Sequence, residues 1–237
     1  MDDYIYLGDA ISLQTNNISL SAWFKTTSTS AQQIIRKRLY GYIISITDGI
    51  CRFGVFENSS NGLTPKSTNK YNDGMWHHII GTYDGTTAKL YIDSALVDSV
   101  AGSATNAIYY QSGGIAIGRD GDGSVAYFNG NIKDVQYFNR GINATEVELI
   151  YSGDAVTDGL ISRWLLNETT GTIANDSVGA NDGTIYGASW VLFSGVRFRW
   201  GLSTTSITKV YVEQDERITE VTPISSTTDG VLLLSDA

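Results

Sequence analysis

Trp76-His77-His78-Ile79-Ile80-Gly81-Thr82-Tyr83, the dipeptide Asp84-Gly85, and Thr87-Ala88-Lys89-Leu90-Tyr91-Ile92-Asp93 form the stretch from which the fold is read. Two β-branched and aromatic runs flank an Asp-Gly pair, a combination that closes tight hairpins. In the second run Ala88, Leu90 and Ile92 fall on one side, with Lys89, Tyr91 and Asp93 on the other, which is the period of a strand. This hairpin predicts a sheet with one apolar face, and the chain on either side is read for strands that complete it.

Upstream, residues 18–25 set Ile18, Leu20, Ala22 and Phe24 against Ser19, Ser21, Trp23 and Lys25. Residues 41–47 and 50–56 read as a second hairpin around Asp48-Gly49, residues 4–7 as a first strand, and the polar stretch 58–73, with Pro65, as a loop. Downstream, 115–118 and 127–138 read as further strands. Asn143 with Glu146 three residues later gives a capping box, predicting one helix over 144–151 with Val147, Ile150 and Tyr151 on its apolar face. Beyond Ser152 the pattern changes. Residues 159–164 and 184–191 read as strands around the Gly/Asn/Asp-rich 167–183. The tail alternates Val196, Phe198, Trp200, then Val210 and Val212, and ends in an apolar run at 231–234.

Composition agrees with an all-β chain. Of 237 residues, 42% are hydrophobic and 17% charged, with 25 Gly against 2 Pro, so a large core joined by glycine turns is expected. The net charge of −9 repels a phosphate backbone, and Arg36-Lys37-Arg38 and Arg197-Phe198-Arg199 are too short to offset it; no nucleic acid partner is expected. The single Cys51 cannot form an intrachain disulfide, and the adjacent His77 and His78 would point to opposite faces of a strand, so neither a cysteine zinc site nor a histidine site is expected. No apolar run is long enough for a membrane-spanning helix, so no membrane insertion is expected. Met1-Asp2-Asp3-Tyr4 is acidic and enters a strand pattern at once, which reads as a start without a secretory leader.

Several ordered stretches resemble the laminin-G-like (concanavalin A-like lectin/glucanase) family. They are Asp2-Asp3-Tyr4-Ile5-Tyr6-Leu7-Gly8-Asp9, Ser19-Leu20-Ser21-Ala22-Trp23-Phe24-Lys25, the hairpin quoted above, Ile117-Gly118-Arg119, Phe128-Asn129-Gly130-Asn131-Ile132-Lys133-Asp134-Val135, and Tyr137-Phe138-Asn139-Arg140. The resemblance implies an antiparallel jelly-roll β-sandwich over 1–152, with one short helix and a β-rich C-terminal extension. Gly159-Leu160-Ile161-Ser162-Arg163-Trp164, Asp176-Ser177 and Asn181-Asp182-Gly183-Thr184-Ile185 look like the usual beginning of such a domain, here placed after its body. Residues 153–195 are then either a truncated second repeat or a segment packed back on the sandwich. Packing back is favoured because Trp164, Leu165, Ile185 and Trp190 otherwise lack a core. Residues 196–237 are expected to oligomerise or tether the chain.

The same family implies a candidate calcium site at Asp3, Asn129 and Asp134, where the alternative is carboxylates capping turns; Lys133 departs from the family's acidic residue there. Asp120-Gly121-Asp122-Gly123-Ser124 resembles the start of a calcium loop, but Val125 and Asn131 depart from the pattern and a tight turn is expected. The glucanase branch implies a Glu-x-Asp-x-Glu strand. Glu213-Gln214-Asp215-Glu216-Arg217 has Arg217 at the third acid, and no Gly-x-Ser-x-Gly elbow accompanies the histidines, so no catalytic set is expected. Sugars are held by aromatic faces with amides and carboxylates nearby, making Tyr40, Tyr109 and Tyr110 the ligand candidates, with Tyr42 and Tyr127 behind them. The expectation is a non-enzymatic binding or structural module and homo-oligomer, on a bacteriophage virion surface beside other virion proteins, able to bind glycans. A bacterial carbohydrate-binding or adhesion domain, secreted or on the cell surface, is the alternative, and a glycoside hydrolase the distant one.

Overall fold

The computed structural model describes residues 3–38, 40–58, 61–102, 108–121, 126–168 and 170–188, and the backbone of 197–203, 206–214 and 217–221. In chain order the strands are β1 Tyr4–Gly8, β2 Ile18–Lys25, β3 Gln32–Lys37, β4 Tyr42–Thr47, β5 Ile50–Phe56, β6 Gly62–Leu63, β7 Lys66–Lys70, β8 His77–Tyr83, β9 Thr87–Ile92, β10 Ala95–Ala101, β11 Ile115–Ile117 and β12 Asn131–Phe138. After helix α1, Ala144–Ser152, come β13 Leu160–Trp164, β14 Ile173–Ala174, β15 Gly183–Tyr186, β16 Arg197–Ser203, β17 Ser206–Gln214 and β18 Arg217–Val221. A 3₁₀ turn spans Ile11–Leu13. Two antiparallel sheets form the sandwich. The first runs β14-β15-β1-β11-β3-β4-β5-β6 with β7 also on β5, and the second runs β10-β9-β8-β2-β12-β13.

The inner faces are the apolar rows read from sequence. Ile18, Leu20, Ala22 and Phe24 of β2 and Ala88, Leu90 and Ile92 of β9 are buried against Ile44, Ile46, Phe53 and Val55. The sheets approach each other closely at Gly81, in the fold-deciding stretch, where an added Cβ would fall 2.1 Å from Phe53 Cδ2. Only hydrogen leaves room there for the ring of the facing sheet. Both Asp-Gly turns are present: Asp48 and Gly49 have positive φ, as a two-residue hairpin requires, and Asp84 Oδ1 accepts from the Thr86 and Thr87 N–H groups.

Helix α1 starts at the Asn143–Glu146 capping box and ends at left-handed Gly153. Val147 and Ile150 pack with Ile80, Tyr91 and Phe138 on the outer face of the second sheet. Tyr151, assigned to the apolar face, is instead partly exposed and stacks on Trp23, 5.6 Å between centroids. This cover explains why Ser19 and Ser21, read as outward, are buried: Ser19 Oγ donates to the Arg140 carbonyl and accepts from Ile142 N–H.

Residues 58–73 are not the loop expected. Lys66–Lys70 and Gly62–Leu63 extend the edge of the first sheet on β5, and a strand there needs few apolar residues because one side faces water. The strand expected at 127–138 begins only at Asn131. Past the helix, β13 pairs with β12 and β15 with β1, placing Trp164 in the core with its indole N–H on the Asn181 carbonyl. The compact unit that contains them spans Met1–Trp190. Residues Val191–Ala237 form a separate unit holding the sheet β16-β17-β18. Trp190, Val191, Val196, Asp122, Gly123, Ser124, Val125, Asp215, Glu216 and the run 231–234, singled out in the sequence, lie outside the described residues.

Candidate functional site

The outer face of the first sheet carries a groove of about 320 Å³ lined by Gln33, Arg36, Ile43, Ser45, Thr47, Ile50, Arg52 and Lys66. Strand register builds it. Gln33 lies opposite Ser45, Ser45 opposite Arg52, and Arg52 opposite Lys66, so one row of polar side chains crosses β3, β4, β5 and β7. Along β5 the same face presents Arg52, Gly54 and Phe56, because alternate residues share a side. An added Cβ on Gly54 would meet Ile43 Cγ2 at 2.8 Å, so glycine lets that neighbour lie across the strand.

Phe56 anchors an aromatic group at the end of this strand. Tyr40 lies edge-on to Phe56, 6.5 Å between centroids, and 5.9 Å from Tyr109. Tyr109 is 40% exposed, held by its N–H on the Phe56 carbonyl, and its hydroxyl accepts from Gln111 Nε2 at 3.0 Å. Asn61 Nδ2 donates to Glu57 Oε2 at 3.0 Å in the stretch that follows Phe56. An exposed ring face with an amide at its edge can stack on the apolar face of a sugar while the amide hydrogen bonds its hydroxyls.

The structure brings Tyr40 and Tyr109 together and places Tyr110 elsewhere. Tyr110 packs edge-on against fully buried Tyr42, and its hydroxyl donates to the Thr15 carbonyl at 2.8 Å. Burial raises the phenol pKa values of Tyr110 and Tyr42. Tyr127 sits against Tyr4 at 6.3 Å. Sequence reasoning missed Phe56, Asn61, Gln33, Arg52 and Lys66. The Asp48-Gly49 turn could have supplied part of this, since its two-residue loop puts Ser45 opposite Arg52.

The candidate calcium donors take up different tasks. A Cβ on Gly118 would lie 3.3 Å from the Asp3 carbonyl oxygen, and the Gly118 carbonyl accepts from Phe128 N–H, so Asp3 and Asn129 share one rim. Asn129 uses its backbone on Gln32 Oε1 and Thr26 Oγ1. Asp134 stands in a bulge of β12 with φ +48°, and Arg163 donates to both its carboxylate oxygens at 2.7 and 3.0 Å. A guanidinium in that position opposes a divalent cation, so Asp134 does not fit a calcium ligand here. Among the described residues no three His, Cys, Asp or Glu side chains cluster as a metal site.

A profile of the concanavalin A-like lectin/glucanases superfamily matches residues 1–148. The chain belongs to that superfamily. No curated protein sequence matches it. Among solved structures it is similar to a Bacteroides ovatus protein provisionally assigned to carbohydrate binding, at TM-score 0.64 and 16% identity over 79% of this chain; the chain spans 56% of that protein's length. It is also similar to a Ruminococcus gnavus IT-sialidase CBM40 solved with alpha2,3 sialyllactose (TM-score 0.49, 16% identity, 58% of this chain and 83% of that one). A heptameric SAP-like pentraxin from Limulus polyphemus follows (TM-score 0.48, 14% identity, 65% and 84%). At 16% identity the likeness to the Bacteroides ovatus protein shows the fold alone.

The two histidines, His77 and His78, lie side by side on β8. His78 Nε2 lies 2.8 Å from Ser21 Oγ, the contact of a nucleophile with its base. Its Nδ1 has no hydrogen-bond partner among the described residues, and both residues are buried, with His78 stacked on Trp23 at 4.8 Å. Burial lowers the His78 pKa to about 4, which leaves the ring neutral at neutral pH. His77 bridges Asp93 at 2.8 Å and Asp73 at 3.1 Å and ties the start of β8 to the end of β9.

Proposed function

We propose that this chain is a non-catalytic glycan-binding module displayed on an exterior surface, with Tyr40 and Tyr109 as its sugar platform. The observation that carries the reading is the exposed Tyr109 ring beside Tyr40, with the Gln111 amide on its hydroxyl. An aromatic face with an amide at its edge matches the amphipathic surface of a pyranose. A glycan array probed with and without chelator tests it. Binding that survives chelator is expected, and no hit under either condition would remove the reading.

The surface we favour is that of a bacteriophage virion, with a secreted bacterial adhesion domain as the alternative. Two features support the virion. The β16-β17-β18 unit, Val191–Ala237, can serve as a tether between copies, and Cys51 is the chain's one cysteine and is buried, so stability does not depend on an oxidising compartment. Light scattering on the full chain should give a trimer or larger assembly; a clean monomer counts against it.

A further inference from the structure

The groove on the outer face of the first sheet is a second site, distinct from the tyrosine platform, and we propose that it binds a carboxylate-bearing saccharide such as a uronic acid oligomer. Charge sets the groove apart from the rest of the chain. The chain carries −9 overall, yet the groove lining contains three cations, Arg36, Arg52 and Lys66, and no carboxylate. The acids at its margin are engaged: Asp120 faces Arg36 Nε at 3.3 Å, and Asp98 Oδ2 accepts from the Lys66 backbone N–H at 2.9 Å. Neither the Arg52 guanidinium nor the Lys66 ammonium has an ion-pair partner among the described residues. Two cations directly opposite each other across β5 and β7 repel, which costs stability unless an anion lies between or above them.

The second observation is independent of charge. Gln33 lines the groove at 7% exposure, and its Oε1 has no hydrogen-bond partner among the described residues. A buried amide oxygen without a donor is costly, and a ligand hydroxyl would satisfy it. Gln33, Ser45, Arg52 and Lys66 form a row across four neighbouring strands, about 14 Å at the usual strand spacing of about 4.8 Å. A ligand along that row offers a hydroxyl to Gln33 at one end and a carboxylate to Arg52 and Lys66 at the other, and guanidinium binds carboxylate in a two-pronged way. The positive groove specifies the anion by itself; the saccharide half of the proposal rests on the glycan-binding reading above.

The test is calorimetric titration of the full chain with tetragalacturonate, a neutral galacto-oligosaccharide and hexaglutamate. Arg52→Gln, Lys66→Gln and Tyr109→Ala variants are compared, with melting curves to confirm folding. Tetragalacturonate should bind, less tightly at high salt, and should weaken about tenfold or more in Arg52→Gln and in Lys66→Gln. Failure of tetragalacturonate to bind, equal binding of hexaglutamate, or unaltered affinity in both groove variants overturns the proposal. Neutral-sugar binding lost only in Tyr109→Ala would leave the platform reading intact while the groove fails, so the two are told apart.

Discussion

Arg163 on β13 holds Asp134 on β12 through two parallel hydrogen bonds, Nε to Oδ1 at 2.7 Å and Nη2 to Oδ2 at 3.0 Å. The pair joins a strand that follows the helix to a left-handed residue in a strand that precedes it, and both side chains are about one-quarter to one-third exposed. Screening at that exposure limits the gain, so a double-mutant cycle of Arg163→Ala and Asp134→Ala should give a coupling of about 1 kcal/mol by chemical denaturation. No coupling would mean that the pair does not persist in solution.

Gly81 and Phe53 set the spacing of the sheets. Gly81→Ala inserts a methyl into the Phe53 ring, and overpacking of this kind costs about 1–3 kcal/mol. Shrinking the partner, Gly81→Ala with Phe53→Leu, should recover part of the loss. Equal stability of Gly81→Ala and wild type by urea denaturation would contradict the inter-sheet contact.

Asp176 ties the segment after the helix to the sandwich. Its Oδ1 accepts from the N–H groups of Arg163, Val178 and Gly179 and its Oδ2 from that of Asn181. Burial alone would raise its pKa, but hydrogen bonds from Gly179, Arg163, Ser162 and Val178 prevail and the net shift is downward. Asp176→Ala strands these donors and should cost at least about 2 kcal/mol, seen as a fall of the single main melting transition. A main transition left unmoved would show that residues 160–186 unfold independently.

His78 gives the fold an acid limb. Its folded pKa of about 4 lies below the ordinary value of 6.5, so the unfolded chain takes up the proton first. Its contribution is complete above about pH 6.5, declines as pH falls, and is gone below about pH 4, a loss on the order of 3 kcal/mol. Stability measured by urea denaturation from pH 7 to 4 should show this slope, and His78→Gln should flatten it. The same slope in His78→Gln would place the proton uptake elsewhere.

The inner faces were legible because their alternation is strict, as in β2 and β9, and because Asp48-Gly49 and Asp84-Gly85 mark turns chemically. The strands that escaped notice lack one or both signals. β3 carries Gln32, Gln33 and Lys37 at buried positions, Lys37 held by Asp9, so its polarity hid it. β10 follows a turn made by Asp93 and Ser94, both at positive φ without glycine, and as an edge strand it is largely exposed. For the site, Tyr40 and Tyr109 were readable as aromatics on connecting segments, but residue type alone cannot separate them from Tyr110, whose ring turns inward to Thr15. The Gln33-Ser45-Arg52-Lys66 row is assembled by register across four strands and is dispersed in the chain, so no local motif announces it.

The sugar platform is tested most directly by titrating the strongest neutral array ligand into wild type, Tyr109→Ala and Tyr110→Phe by calorimetry. Tyr109→Ala should weaken binding about tenfold or more with its melting point nearly unchanged, since one stacking ring is removed from an exposed position. Tyr110→Phe should bind as wild type does. Undiminished affinity in Tyr109→Ala would contradict the account.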